Sequence, residues 1–431
     1  ESIAGNLPER TIIFDVIEDH EKPGMLFIGT EFGVYFSPDD GKRWIPLKNG
    51  LPVISVKDLT IQQRENDLVL GTFGRGFYVL DNYAPLREVD EEMLKKESHL
   101  FEIKDALMFL EERGKGYQGQ AYYTAENPPV GAVFTYYLKE KLMSLKEKRQ
   151  QEEKEAEKEN RPVDYPAIKD MQEEAWEEEP CLLFTVYDEK DNVVRRLYAR
   201  PNSGINRIVW DFRYPSSSPA DKDEDKFKNQ SSGILAMPGT YKVAMGKVVQ
   251  GEYTELQAAK TFQARLLGEE DKEQDAEIIA FRKKMSELTR AFRGANKVAR
   301  KTQDKIDYML NALKNTPAET EELRVKVLTV KDELRDILIA FNGSKVISEL
   351  NENQPPSIGS RIGAISWGYW NTTSAPTQTM LEQYDIAGSA FDAQLAKLKT
   401  LVQETIPAIE QQMEDKKSPW TPDRFPEWDK K

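Results

Sequence analysis

The chain has a single cysteine, Cys181, and two histidines, His20 and His99, which excludes an intramolecular disulfide framework and leaves no Cys/His zinc site to expect. No cofactor or metal is expected. It lacks any run approaching 18 consecutive apolar residues, so nothing in these residues reads as a membrane-spanning helix. It also lacks positive charge: 60 Lys and Arg stand against 74 Asp and Glu, a net charge of −14. A general phosphate-binding surface therefore has no electrostatic support, and nucleic acid is not an expected partner. A signal peptide is missing as well, but residue 1 falls inside a repeat already under way, and the expectation is the later part of a longer or processed polypeptide. What is present, 431 residues with 39% hydrophobic and 31% charged, supports folded cores in two to four domains at roughly 100 to 200 residues each.

The first ninety residues contain a repeat. Leu26-Phe27-Ile28-Gly29-Thr30 returns as Leu68-Val69-Leu70-Gly71-Thr72 at a spacing of 42, and Gly33-Val34-Tyr35 returns as Gly76-Phe77-Tyr78 at 43. This is the period of a four-stranded propeller blade. An alternating apolar strand precedes each copy, at 13–17 and 56–61. Two blades cannot close a ring, so further sequence, upstream or from another chain, is expected to complete it.

Residues 91–270 read as a β-sandwich of the immunoglobulin or fibronectin type, with strands expected at 131–138, 181–187, 193–198, 205–212, 241–245 and 260–264. A charged insertion, 139–179, interrupts it with nine positive and fourteen negative residues, the mark of a solvated helix, a flexible excursion or a partner-binding arm. Beyond about Asp275 the apolar period becomes helical. Ile278, Phe281, Met285, Leu288, Phe292, Ala295, Ala299, Thr302, Ile306, Met309 and Leu313 form one stripe over five heptads. Leu323, Val327, Val330, Leu334, Ile337 and Phe341 form a second; Leu381, Tyr384, Phe391, Leu395, Leu398, Val402, Ile409 and Met413 form a third. The pattern predicts an antiparallel three-helix bundle over 271–416, with Phe281, Leu288, Phe292, Leu334, Phe391 and Leu398 in its core. Pro407 should kink or end the third helix. Residues 417–431 read as an extended tail rich in Pro and Trp.

Ser37-Pro38-Asp39-Asp40-Gly41-Lys42-Arg43-Trp44 has the pattern Ser-x-Asp-x-Gly-x-x-Trp. In such a hairpin Asp39 accepts turn amides, Gly41 takes a positive φ and Trp44 packs beneath the loop. A carboxylate so occupied is an acceptor with a lowered pKa, the wrong direction for a general acid. Together with Gly71-Thr72-Phe73-Gly74-Arg75-Gly76-Phe77-Tyr78-Val79-Leu80-Asp81, this Asp-box resembles the last blades of sortilin-type or bacterial-neuraminidase-repeat propellers. Asn127-Pro128-Pro129-Val130-Gly131-Ala132, Gly204-Ile205-Asn206-Arg207-Ile208-Val209-Trp210-Asp211-Phe212-Arg213 and Pro238-Gly239-Thr240-Tyr241 resemble the region after the propeller in large exported bacterial members, often labelled glycosyl hydrolases.

The resemblance implies export in bacteria, to the periplasm, outer-membrane surface or medium, with a propeller, a sandwich and a helical end. Three functions follow from it. The leading one is a non-catalytic protein of binding or assembly, with cell-envelope proteins as partners. The others are a glycoside hydrolase whose catalytic acids lie upstream, and a propeller that binds peptide. Hydrolysis needs two carboxyl groups at a defined separation, and Asp15, Asp58 and Asp81 offer no distinguishable pair. Arg75, between two glycines, either binds a carboxylate at the central face or braces neighbouring blades. Arg207, Asp211 and Arg213 around Trp210 read as an ion-paired strand edge. Trp367, Tyr369 and Trp370, in an aromatic loop at 359–371, could stack a sugar or pack against the protein, with Trp367 and Trp370 the ligand candidates. His20 and His99 are isolated in the sequence and read as exposed or loop residues.

Overall fold

The structure, a computed structural model, describes residues 2–109, 119, 125–163, 165–229, 233–268, 276–425 and 428. It is mixed β and α, in two compact units: Glu1–Asp211 with Thr240–Leu267, and Phe212–Gly239 with Gly268–Lys431.

The first unit opens with an antiparallel sheet of β1 (Ile13–Glu18), β2 (Leu26–Thr30), β3 (Gly33–Ser37) and β4 (Ile45–Leu47), then a three-stranded one of β5 (Val56–Gln62), β6 (Asp67–Thr72) and β7 (Phe77–Leu80). The sequence repeat is a repeat of hydrogen bonding. The register shifts between Ile13 and Asp15 in one sheet and between Val56 and Asp58 in the other. Thr30 Oγ1 donates to the Gly33 carbonyl (2.9 Å), as Thr72 Oγ1 does to that of Gly76 (2.7 Å). The two sheets share one core, in which Met25, Phe27, Val34 and Phe36 meet Val56, Leu59, Leu68 and Leu70. Asp15 joins them by accepting the Leu59 amide at 2.8 Å. Gly29 is required here, because a Cβ would sit 2.8 Å from the Val56 carbonyl oxygen.

After α1 (Glu91–Lys95), two sheets face one another. One orders β13 (Gly204–Trp210), β10 (Ala132–Leu138) and β8 (Ser98–Leu100). The other orders β12 (Val193–Ala199), β11 (Cys181–Asp188), β14 (Gly239–Val249), β15 (Glu252–Leu266) and β9 (Ala106–Met108). Aromatic rings fill the space between: Phe134 lies 6.5 Å from Phe184 and 5.4 Å from Phe262, and Trp210 4.8 Å from Tyr241. Gly131 directly precedes β10 at φ 151°, where a Cβ would meet the Trp210 carbonyl oxygen at 2.4 Å. Between β10 and β11 the charged stretch forms α2 (Leu145–Lys158) and α3 (Ile168–Trp176). Ser144 starts α2 with a capping box, and Arg149 clamps the pair through Glu153 and Glu174, both at 2.6 Å.

The second unit contains α4 (Ala276–Lys314), α5 (Glu321–Asn342), the short α6 (Lys345–Glu349), α7 (Ile358–Tyr369), α8 (Gln378–Thr400) and α9 (Ile406–Asp415). The apolar stripes meet in one cluster, with all six expected α5 residues buried. Phe281, Phe292, Leu334, Phe391 and Leu398 are buried, whereas Leu288 is only partly so. Phe391 contacts Phe292 and Phe341 at ring separations of 5.9 Å.

Three expectations are corrected here. The aromatic stretch 359–371 is mostly helix, not loop: Ser357 caps α7, and Ile358, Ile362, Ile365 and Tyr369 bury one face in the shared core, so a fourth helix joins the three expected. Of the two outcomes expected at Pro407, a kink or an end, the helix does not end. The chain absorbs the missing amide as a π-helical turn, Leu401–Thr405, and continues to Asp415. The strand expected over 205–212 stops at Trp210, and Phe212 at φ 56° breaks the alternation meant to place Arg207, Asp211 and Arg213 on one face. Of the expected tail, residues 426, 427 and 429–431 lie outside the described residues; Ser418 and Thr421 are buried, and Arg424 pairs with Glu414 at 3.1 Å. Among the described residues no helix is long and apolar enough to cross a membrane.

Candidate functional site

The Asp-box residues are engaged with each other. Ser37 Oγ donates to Asp39 Oδ1 at 2.8 Å and accepts the Gly41 amide at 2.8 Å; Asp39 Oδ1 also accepts the Arg43 amide at 2.9 Å. Gly41 has φ 78°, and Trp44 is buried with Nε1 donating to the Ile3 carbonyl at 2.8 Å. Arg75 lies exposed between Gly74 (φ 81°) and Gly76 (φ 70°) in the β6–β7 turn.

Two clusters escaped sequence reasoning. The first surrounds Asp19, whose side chain is fully buried. Arg87 Nε and Nη2 donate to its two oxygens at 2.8 and 2.9 Å, Tyr83 Oη donates at 2.6 Å, and the Lys22 and Glu21 amides donate at 2.7 and 3.1 Å. Burial alone would raise this carboxyl's pKa; the hydrogen bonds from Arg87, Tyr83 and the two amides outweigh it and hold the pKa well below the ordinary range. Burial and Asp19 push the Tyr83 hydroxyl upward. His20 lies exposed in the bend after β1, as expected, with Nε2 3.3 Å from Glu21 Oε1, whereas His99 is half-buried in β8, not in a loop, with Nε2 2.8 Å from Glu88 Oε2. With every oxygen of Asp19 occupied, the cluster ties the turn after β1 to the segment after β7. Its two halves, Asp19 to Lys22 and Tyr83 to Arg87, are more than 60 residues apart, so no local motif announced it.

The second cluster lines a cavity of about 250 Å³ in the second unit. Arg282, Met285, Ser286, Thr289 and Arg293 recur at helical spacing on one side of α4, and Gly363, Ser366, Trp367 and Trp370 do so on and just past α7. Ser217, Gly233 and Ile234, from the segment that joins this unit, complete the wall with Tyr369. Trp367 is 80% exposed. Trp370 is partly buried, and the Arg213 guanidinium stacks 4.0 Å from its ring centre. The structure thus brings Trp367 and Trp370 to one cavity and leaves Arg75 elsewhere in the chain.

Arg282 is 3% exposed. Its Nη1 donates to the Leu235 carbonyl at 3.0 Å, its Nη2 to that of Thr372, and its guanidinium lies 4.9 Å from the Tyr369 ring. Burial lowers its pKa, against the opposing pull of Tyr369 and Tyr214, and burial pushes the Tyr369 hydroxyl up to about 12. Arg293 Nη1 donates to Ser218 Oγ at 2.8 Å. Among the described residues no carboxylate lines the cavity and neither arginine pairs with one. Such a site attracts anions and offers aromatic walls, but it presents no paired acids for hydrolysis. The signal missed in the sequence was an arginine directly beside the apolar stripe at Phe281. Among the described residues no group of three or more His, Cys, Asp or Glu is placed to hold a metal ion.

No protein-family model matches the chain, and no curated protein matches it. Two crystal structures of the extracellular domain of BT4673 from B. thetaiotaomicron are similar to it at 10% and 11% identity, with TM-scores of 0.14 and 0.15. Each match covers 60% of this chain and 25% of that one. The chain therefore spans about a quarter of their length, and a likeness at these scores carries no argument about fold or function.

Proposed function

We propose that the chain belongs to an exported, non-catalytic protein of binding or assembly in the bacterial cell envelope. In this reading 1–90 are the final two blades of a β-propeller, 91–270 a β-sandwich with its charged insertion, of which 212–239 cluster with the helices, 271–416 a helical bundle and 417–431 an extended tail. The observation that carries it is the outer face of β7. Phe77 and Val79 are 80% and 52% exposed, alternating with Tyr78 and Leu80, which pack on the shared core. Apolar residues exposed on a sheet face favour burial by another surface. A neighbouring blade, from the same polypeptide or another chain, would cover them as β5 covers β2. The engagement of Asp39 in its own turn supports a structural role for the Asp-box. Trp367 and Trp370 serve as ligand-facing aromatics, and Arg75, with no polar partner among the described residues, is a further ligand candidate.

Hydrogen exchange tests this reading. Residues 56–80 should be weakly protected in the isolated 431-residue chain and strongly protected when the remaining blades are supplied. Equal, strong protection in the isolated monomer would overturn it. Glycosidase activity that Asp39→Asn abolished at unchanged Tm would overturn the non-catalytic assignment.

A further inference from the structure

We propose that the cavity between α4 and α7 is a binding site for a small ring-bearing carboxylate. The inference deepens the reading of Trp367 and Trp370 as ligand-facing residues, and rests on it. It stands first on charge. Two guanidinium groups line a cavity that has no acidic lining residue among the described residues, in a chain with a net charge of −14. A buried arginine is ordinarily paired with a carboxylate. Arg282 is held instead by two backbone carbonyls, which fix its plane without neutralising it.

The second ground is unfilled hydrogen bonding. Arg282 Nε and the Tyr369 hydroxyl are buried without a partner among the described residues. Ser286 and Ser366, both lining the cavity, make no hydrogen bond to a described residue. The two serines are half-buried, so their hydroxyls are open to a bound molecule, whereas Arg282 Nε and the Tyr369 hydroxyl are fully covered by the packing around the cavity. A planar carboxylate suits the planar fork of an arginine.

The third ground is shape. At about 250 Å³ the cavity has room for about eight waters at roughly 30 Å³ each, the size of a monosaccharide or a substituted benzene ring. Trp367 and Trp370 supply flat apolar faces for such a ring. Gly363 keeps the α7 wall open, since a Cβ built there meets nothing within 4 Å.

Saturation-transfer NMR on the whole chain, with glucuronate and benzoate as probes and glucose and benzyl alcohol as neutral counterparts, tests the proposal. The expected result is saturable binding of at least one acid and much weaker binding of its neutral counterpart. Arg293→Gln, at a partly exposed position that spares the buried Arg282, should weaken the acid about tenfold or more. Gly363→Leu should block the cavity and abolish binding, with circular dichroism confirming that both variants fold. Absence of saturable acid binding would overturn the proposal, as would acid affinity unchanged within about twofold in both variants. Equal binding of acid and neutral probes would overturn the carboxylate assignment while leaving the aromatic reading standing.

Discussion

Replacing Asp19 by Asn tests whether the buried ion pair holds the first unit together. The substitution keeps the shape but removes the charge opposite Arg87, whose side chain is 15% exposed, and turns one acceptor into a donor facing donors. Breaking one partner of a buried pair costs about 3–5 kcal/mol. Arg87 retains Glu21 at 2.6 Å and Asn66 at 2.5 Å, so the lower end, about 3 kcal/mol, applies here. For a unit of this size that is a fall in Tm of about 6–12 °C. The pH dependence follows from the same contacts. The folded-state pKa of Asp19 is depressed, so its contribution is fully present above the unfolded value of about 3.9 and is lost as pH falls from there toward the folded value. Thermal unfolding from pH 7 to pH 2 should show a steeper acid loss in the parent chain than in Asp19→Asn. A Tm drop under about 2 °C, or parallel acid limbs, would refute the reasoning.

Asp39→Ala removes the acceptor for the Arg43 amide and the Ser37 hydroxyl at a partly exposed turn, and should cost about 1–2 kcal/mol in urea unfolding. No loss would show that the turn holds without it. Phe391→Ala should cost about 3–5 kcal/mol, because the ring is buried against Phe292 and Phe341. Leu288→Ala, at a partly buried position, should cost about 1–2 kcal/mol, and equal losses at the two positions would contradict the packing described.

The repeat at 42 to 43 residues was legible because hairpin pairing and the Thr30 and Thr72 turns depend on short-range spacing. The helical stripes were legible for the same reason: a period of 3.6 is written along one element, and all six apolar positions of α5 are buried. The hairpin role of Asp39 needed only its neighbours within four residues.

What the tertiary structure decided is how distant segments share surfaces. Residues 212–239 read as part of the sandwich, yet they cluster with the helices, where the Leu235 carbonyl meets Arg282 and Ser217 and Ser218 meet Arg293. That contact covers part of α4, a helix of 39 residues against the 22 of α5, and α7 supplies more. Trp367 and Trp370 could be suspected from composition, whereas Arg282 could not. A charged residue on a helix is ordinarily solvated, and only the packing of three separate segments removes water from this one and leaves its charge without a carboxylate among the described residues.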